Sequence, residues 1–355
     1  MTLSRPSLMV NTSIVQKNIQ RMLDKVSRNI QFRPHFKTHQ NYEVGQIYRS
    51  LGIDKITVSS VEMAEFFAND GWTDILIATP LNILQIQQIK TLSKRINLGV
   101  LISSLDTLAI FLRECPENNL DIWIEIDAGY GRTGFSWQKK EVISQCIDAI
   151  AGTLGLSRVK GILTHSGHSY LCKTKNEIEQ LYWLTLDRMK AIKASITRDN
   201  WGPLISTGDT PCCSIMSSFE GNDEIRPGNF AYYDLTQESI GSCRQSDIAV
   251  AVAVPVIGIY PERQHIMVYG GGVHFSKDYL DTHSEKIYGY LVEKKIDRWD
   301  PIDRQNRLIK LSQEHGTLQA SSDLIRSVSV GDILYIQPVH SCLSADLLKA
   351  NTMLI

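Results

Sequence analysis

Several common protein classes leave marks that this sequence lacks. Its seven cysteines are an odd number, contain no CxxC pair, and adjoin only at Cys212 and Cys213. Neither a disulfide framework nor a structural zinc knuckle is expected, and the chain reads as reduced and cytosolic. Lysine plus arginine (37) nearly balance aspartate plus glutamate (38), leaving a formal charge of −1. No basic stripe with interleaved aromatics is present, so nucleic acid is not expected as a partner. No apolar run is long enough to span a bilayer, and the start, "MTLSRPSLMVNTS", has no signal-peptide core. No membrane partner is expected. What remains is a chain of 355 residues, 43% hydrophobic and 21% charged, enough for one large soluble domain or two ordinary ones.

Short apolar runs alternate with amphipathic stretches from about residue 10 to 235. Strand candidates are "NIQFRPHFK" (29–37), "KITVSS" (55–60), "DILIATP" (74–80), "INLGVLIS" (96–103), "LDIWIEID" (120–127), "VKGILTHS" (159–166), "PLISTGD" (203–209) and "NFAYYDL" (229–235). Helical patterns such as "VEMAEFFANDG" and "KNEIEQLYWLTLDRMKAIKASI" lie between them. Strands that are apolar on both faces and separated by helices pair in parallel. Eight such units predict a closed (β/α)8 barrel over 1–235. Beyond Leu235 the texture becomes β-rich, with no evident helix, which predicts an antiparallel β-domain over 236–355.

Barrel chemistry belongs at the C-terminal ends of strands. Lys37 and His39, "DAGYGRTGF" (127–135), "THSGHSY" (164–170) and "STGDTP" (206–211) all fall there. Any one alone reads as a polar loop. Four on one rim read as a site. In "FRPHFKTHQN", Lys37 follows an apolar run, where burial would lower its pKa and cost free energy; that setting suits a lysine reacting as a neutral amine. "STGDTP" and "RPGNFAYYD" (226–234) offer backbone N–H groups and hydroxyls suited to a phosphate, yet no Gly-Lys-Ser/Thr follows. A phosphate belonging to a cofactor, with a lysine opposite, is the natural reading. The glycines of "YGGGVHFSKD" (269–278) read first as turns.

"RPHFKTHQN", "DAGYGRTGF", "THSGHSY", "RPGNFAYYD", "LSQEHG" and "VHSCLSADLL" occur in the order found in pyridoxal-phosphate enzymes of the alanine-racemase fold. The chain resembles their D-serine dehydratase and D-threonine aldolase branch over nearly its whole length. The resemblance implies that Lys37 carries pyridoxal 5'-phosphate covalently and acts in catalysis. Arg132 would bond the cofactor's phenolic oxygen, His165 would stand beside its ring, and Tyr170 would face cofactor or substrate. Thr207, Gly208, Thr210, Gly228 and Asn229 would hold the phosphate, with Tyr232 nearby. Two departures stand out: "PVH" where Pro-Asn usually precedes the late histidine, and Asp209, a negative charge beside the proposed phosphate contacts.

His340 and Cys342 are two apart, so on a strand both side chains would point to one face. The plain reading is a buried cysteine beside a strand histidine; in the family context the pair implies Zn2+, with Mn2+ as an alternative. His274, His283 and His315 are other possible histidines, read as structural or as supports behind the ligands. The leading expectation is a lyase that dehydrates a D-3-hydroxy amino acid to a 2-oxo acid and ammonia. The main alternative is retro-aldol cleavage, for which His168 occupies the place of the base. An amino-acid racemase and a non-catalytic cofactor carrier stand behind these. The family further implies a homodimer acting on a small D-amino acid.

Overall fold

A computed structural model of the chain describes residues 3–115, 119–198, 200–282 and 285–355. By internal contacts the chain falls into two compact units. One comprises Met22–Lys37 and Gly45–Gly228. Its strands are Gln31–Phe32, Lys55–Val58, Asp74–Pro80, Asn97–Ile102, Asp121–Asp127, Val159–Leu163, Leu204–Thr207 and Glu224–Ile225. All eight pair in parallel, and the last lies beside the first. Between the first and second strands, His35 and Thr57 form a bridge, and the Thr57 N–H donates to Pro34 O at 2.9 Å. This nearly closed barrel is the fold that the alternation predicts.

The barrel follows from its sequence. "NLGVLI" is buried from Leu98 onward, as a strand covered on both faces must be. Intervening helices start at residues whose side chains accept first-turn N–H groups: Ser60 from Met63, Ser104 from Thr107 and Thr174 from Glu177. Leu76, Leu101, Trp123 and Leu163, from four strands, form one buried apolar cluster. Gly161 makes room for it, since a Cβ there would stand 2.6 Å from the Trp123 ring.

The other unit comprises the chain up to Arg21, Thr38–Val44 and Asn229–Ile355. Its long strand Val250–Tyr260 pairs antiparallel with Ser7–Val10, His265–Tyr269 and Ile333–Pro338. The β-rich texture past Leu235 thus builds an antiparallel sheet, which the N-terminal strand Ser7–Val10 joins. Gly270–Gly272 lead from His265–Tyr269 into a short helix, Gly272–Phe275.

Four sequence expectations are corrected. The run 29–37 contributes only Gln31–Phe32 to the ladder before Pro34, which has no N–H to give, and Phe36–Thr38 forms a 3-10 turn. "NFAYYDL" is not the eighth strand; that strand is Glu224–Ile225, and Asn229–Ala231 is a 3-10 turn. Local bonding diverts it, because Asp234 caps the next helix by accepting the Gln237 N–H. The second unit also contains helices, namely Leu235–Ser239, Gly272–Phe275, Ser322–Ser327 and Ser341–Leu347. They are too short to show a helical period. Finally, "VHSC" is not on a strand: His340 is the N-cap of Ser341–Leu347, and Cys342 lies in its first turn.

The two shortest barrel strands are held by charge. Arg33, 7% exposed, donates to Glu224 at 2.6 Å and to Asp74 at 2.5 Å. Burial opposes its charge, yet the two carboxylates hold the guanidinium protonated above its ordinary range. Arg33→Met would leave Glu224 buried without its partner. It should lower unfolding free energy by about 3–5 kcal/mol in urea titrations. A loss below about 1 kcal/mol would show that these pairs do not hold the barrel.

Candidate active site

In the barrel unit, Lys37 sits in the turn that follows the first strand. Phe36 takes the core position, its ring 4.8 Å from Tyr48, 4.9 Å from Phe67 and 5.0 Å from Trp72. Lys37 itself is exposed, contrary to the expectation of burial. His165 follows the strand Val159–Leu163, and its Nδ1 lies 3.3 Å from Gly208 O. Burial, and then the positive charges of Lys37, Arg132 and Arg226, push its pKa down to about 3. Lys37, Arg132 and His165 are thus electrostatic neighbours.

The loop after Asp121–Asp127 is shaped by the Asp127 carboxylate, which accepts the N–H groups of Gly129 (2.9 Å) and Gly131 (3.0 Å). It presents Tyr130 and Arg132 side by side, with the guanidinium 5.4 Å from the Tyr130 ring centre. The Tyr130 ring also stacks on His168 at 5.6 Å and 11°. It covers Gly167, where a Cβ would meet the ring at 2.4 Å. His168 is half-buried, and its Nδ1 has no hydrogen-bond partner among the described residues. Burial, then the Arg188 charge, lowers its pKa. Tyr170 lies in the same turn, Gly167–Leu171, half-buried.

The glycine loops after the last two strands are joined by the Arg226 N–H, which donates to Thr207 O at 2.8 Å. Gly208 has φ +148°, and a Cβ there would strike Arg226 N at 2.4 Å, so glycine is required. The Thr207 hydroxyl donates to Asn222 at 2.7 Å. Thr210 opens the helix Thr210–Ile215, and Gly228 is buried. Asp209 is explained: it caps that helix, accepting the Cys212 N–H at 2.8 Å and the Ser169 hydroxyl at 2.7 Å. Burial raises its pKa and so weakens the objection that its charge posed.

The second unit has its own polar cluster. Asn229 Nδ2 donates to Asp234 (2.7 Å), Ser341 Oγ (2.9 Å) and Cys342 Sγ (3.3 Å). Thr38, the residue directly after Lys37, places its hydroxyl 3.3 Å from Cys342 Sγ. His340 Nδ1 lies 3.4 Å from Asp278 Oδ2. Burial works against charge on His340, but the hydrogen bond to Cys342, with the charges of Cys342, Asp234 and Asp278, raises its pKa to about 9. Tyr232 is fully buried, and neither its hydroxyl nor Asn229 Oδ1 has a partner among the described residues.

Both groups fit what the family resemblance implies. Three cations acting on one neutral imidazole suit an anionic cofactor. An imidazole and a sulfur that share a helix start suit a soft divalent metal. No cluster of three or more metal-ligating side chains occurs among the described residues, so the pair would leave coordination positions open.

Sequence reading missed Arg226, Tyr130, Asp234 and Asp278. Arg226 was hidden inside a glycine motif; its guanidinium donates to Ser206 Oγ and to Thr164 O, both at 2.7 Å. His274 is structural as read, accepting the Gly271 N–H at 3.1 Å. His315 sits exposed on the strand His315–Gln319, and His283 lies outside the described residues.

Known proteins resemble this chain over nearly its whole length. The alanine racemase N-terminal domain profile matches residues 10–236, and that of a putative serine dehydratase domain matches 249–354. The chain is 30% identical to D-threo-3-hydroxyaspartate dehydratase of Delftia sp. (strain HT23), covering 96% of this chain and 92% of that one. It is 29% identical to D-serine dehydratase of Dictyostelium discoideum, over 97% and 91%. The solved Delftia enzyme superposes with a TM-score of 0.86 over 98% of this chain and 93% of that one, at 27% identity. A cysteine-to-alanine mutant of that enzyme has been solved in a metal-free form. The chain therefore belongs to the fold-type III pyridoxal-phosphate family, in its D-serine dehydratase and D-threonine aldolase branch, and is a lyase.

Proposed function

We propose that this lyase dehydrates a D-3-hydroxy amino acid of the D-serine type, using pyridoxal 5'-phosphate and zinc, and releases a 2-oxo acid and ammonia. The observation that carries the reading is the trio of Lys37, Arg132 and His165 at strand ends, where burial first, and then the two positive charges, keep His165 neutral. The names of the dehydratase relatives support the substrate class.

When bound, the pyridoxal ring supplies an electron sink at Cα, and zinc a Lewis acid at the β-oxygen. Lys37 Nζ would hold the cofactor and, once free as a neutral amine, would serve as the base for the substrate's α-proton. Arg132 offers a planar fork of donors to the phenolic oxygen. His165 flanks the ring without adding charge. The backbone of Gly208, Thr210 and Gly228 receives the phosphate. His340 and Cys342 hold the metal, and the Asn229 N–H steadies the sulfur. In this reading the enzyme works as a homodimer.

A second reading is retro-aldol cleavage. His168 favours it, because its Nδ1 lacks a partner among the described residues and its lowered pKa keeps it a neutral base. Products decide between them. D-serine should give pyruvate and ammonia, whereas glycine and acetaldehyde from D-threonine would establish the aldolase.

Borohydride reduction of the yellow holoenzyme should fix the cofactor on Lys37, as read by peptide mapping; label on another lysine would refute the assignment. His165 should stay neutral at every pH above about 4, because burial and positive neighbours both oppose its protonation. Unfolded histidine protonates near 6.5, so this residue costs stability as pH falls from there towards 3. Lys37→Ala removes one cation and should raise the His165 pKa in imidazole NMR titrations. A wild-type titration near pH 6.5 would contradict the arrangement. Chelation should abolish turnover but spare the cofactor absorbance, zinc should restore it, and Cys342→Ala should lose metal and turnover together. Active protein without a stoichiometric divalent ion would end the metal reading.

A further inference from the structure

The turn after helix Gly272–Phe275 contains a strained residue. Ser276 has φ +67° and ψ −169°, a region that L residues other than glycine rarely enter. Its hydroxyl donates to Asp278 Oδ2 at 3.2 Å and accepts the Asp278 N–H at 3.2 Å. That same Oδ2 lies 3.4 Å from His340 Nδ1. The turn is fastened to the helix that carries Cys342, because Ser344 Oγ donates to Phe275 O at 3.4 Å. A strained backbone, a hydroxyl brace and a helix contact thus converge on one carboxylate oxygen beside one ring nitrogen. Strain of this kind persists where the surroundings over-determine a position, and it gathers at functional sites.

We propose that Asp278 is the positioning carboxylate of the metal pair: it accepts the His340 Nδ1–H and so commits Nε2 to the metal. The inference rests on the reading of His340 and Cys342 as zinc ligands. A carboxylate on the far nitrogen fixes the tautomer and the ring angle of a ligating histidine and makes its other nitrogen a stronger donor. Asp278 is itself 45% exposed in its side chain, so its replacement removes the orienting contact without opening the core.

The test measures zinc affinity of the full chain by competition with a chromophoric chelator, a readout independent of turnover. Asp278→Asn should bind zinc roughly 10–100-fold more weakly, with unchanged far-UV circular dichroism. In the zinc-loaded wild type, nitrogen NMR of His340 should show a protonated Nδ1 and a metal-bound Nε2. Equal affinity in Asp278→Asn, or metal on Nδ1, overturns the inference and leaves the metal reading standing. Failure of the wild-type chain to bind zinc overturns the reading itself.

Discussion

A closed barrel is only as secure as its weakest seam, and here that seam is electrostatic. The first and last strands, Gln31–Phe32 and Glu224–Ile225, are two residues long and contribute few ladder bonds. The side chains compensate in series: Asp74 and Glu224 hold Arg33, Glu224 accepts the Ser206 hydroxyl at 2.6 Å, and Ser206 accepts from Arg226. Breaking such a buried series leaves a charge without a partner, which costs far more than a surface pair. The seam also lies close in sequence to the proposed site, since Arg33 stands four residues before Lys37, and Arg226 joins the two glycine loops.

The charge pattern at the rim has a consistent logic. Three cations act on His165, and burial together with their field holds that imidazole neutral. The negative groups nearby are otherwise engaged. Glu125 accepts the Thr133 hydroxyl at 2.7 Å and has its pKa raised by burial, while Asp209 is turned into its helix cap. A site arranged this way would suit an anionic ligand, because its histidine stays neutral beside three cations.

The eight alternations and the lysine motif were readable because buried parallel strands leave apolar runs that short-range periodicity detects. Helices of four to seven residues, such as Gly272–Phe275 and Ser341–Leu347, were not, because they complete too few turns to show a period. Their signals were the caps, Asp234, Ser321 and His340, which only the fold reveals as caps. The expected burial of Lys37 failed for a related reason. Apolar neighbours in sequence do not say which residue of a turn takes the core position, and Phe36 took it. Arg226 and Asp278 carry no local signature at all. Their roles depend on partners roughly 20 to 60 residues away, at Ser206, Thr164 and His340.

The way the chain threads its two compact units has a corollary for truncation. It passes from one to the other after Arg21, Lys37, Val44 and Gly228, so no single cut separates them. Two of those crossings adjoin proposed cofactor contacts: Lys37 precedes Thr38, and Gly228 precedes Asn229, while both following residues touch Cys342. A fragment beginning at Asn229 would therefore lack the rest of its own unit, the chain up to Arg21 and Thr38–Val44.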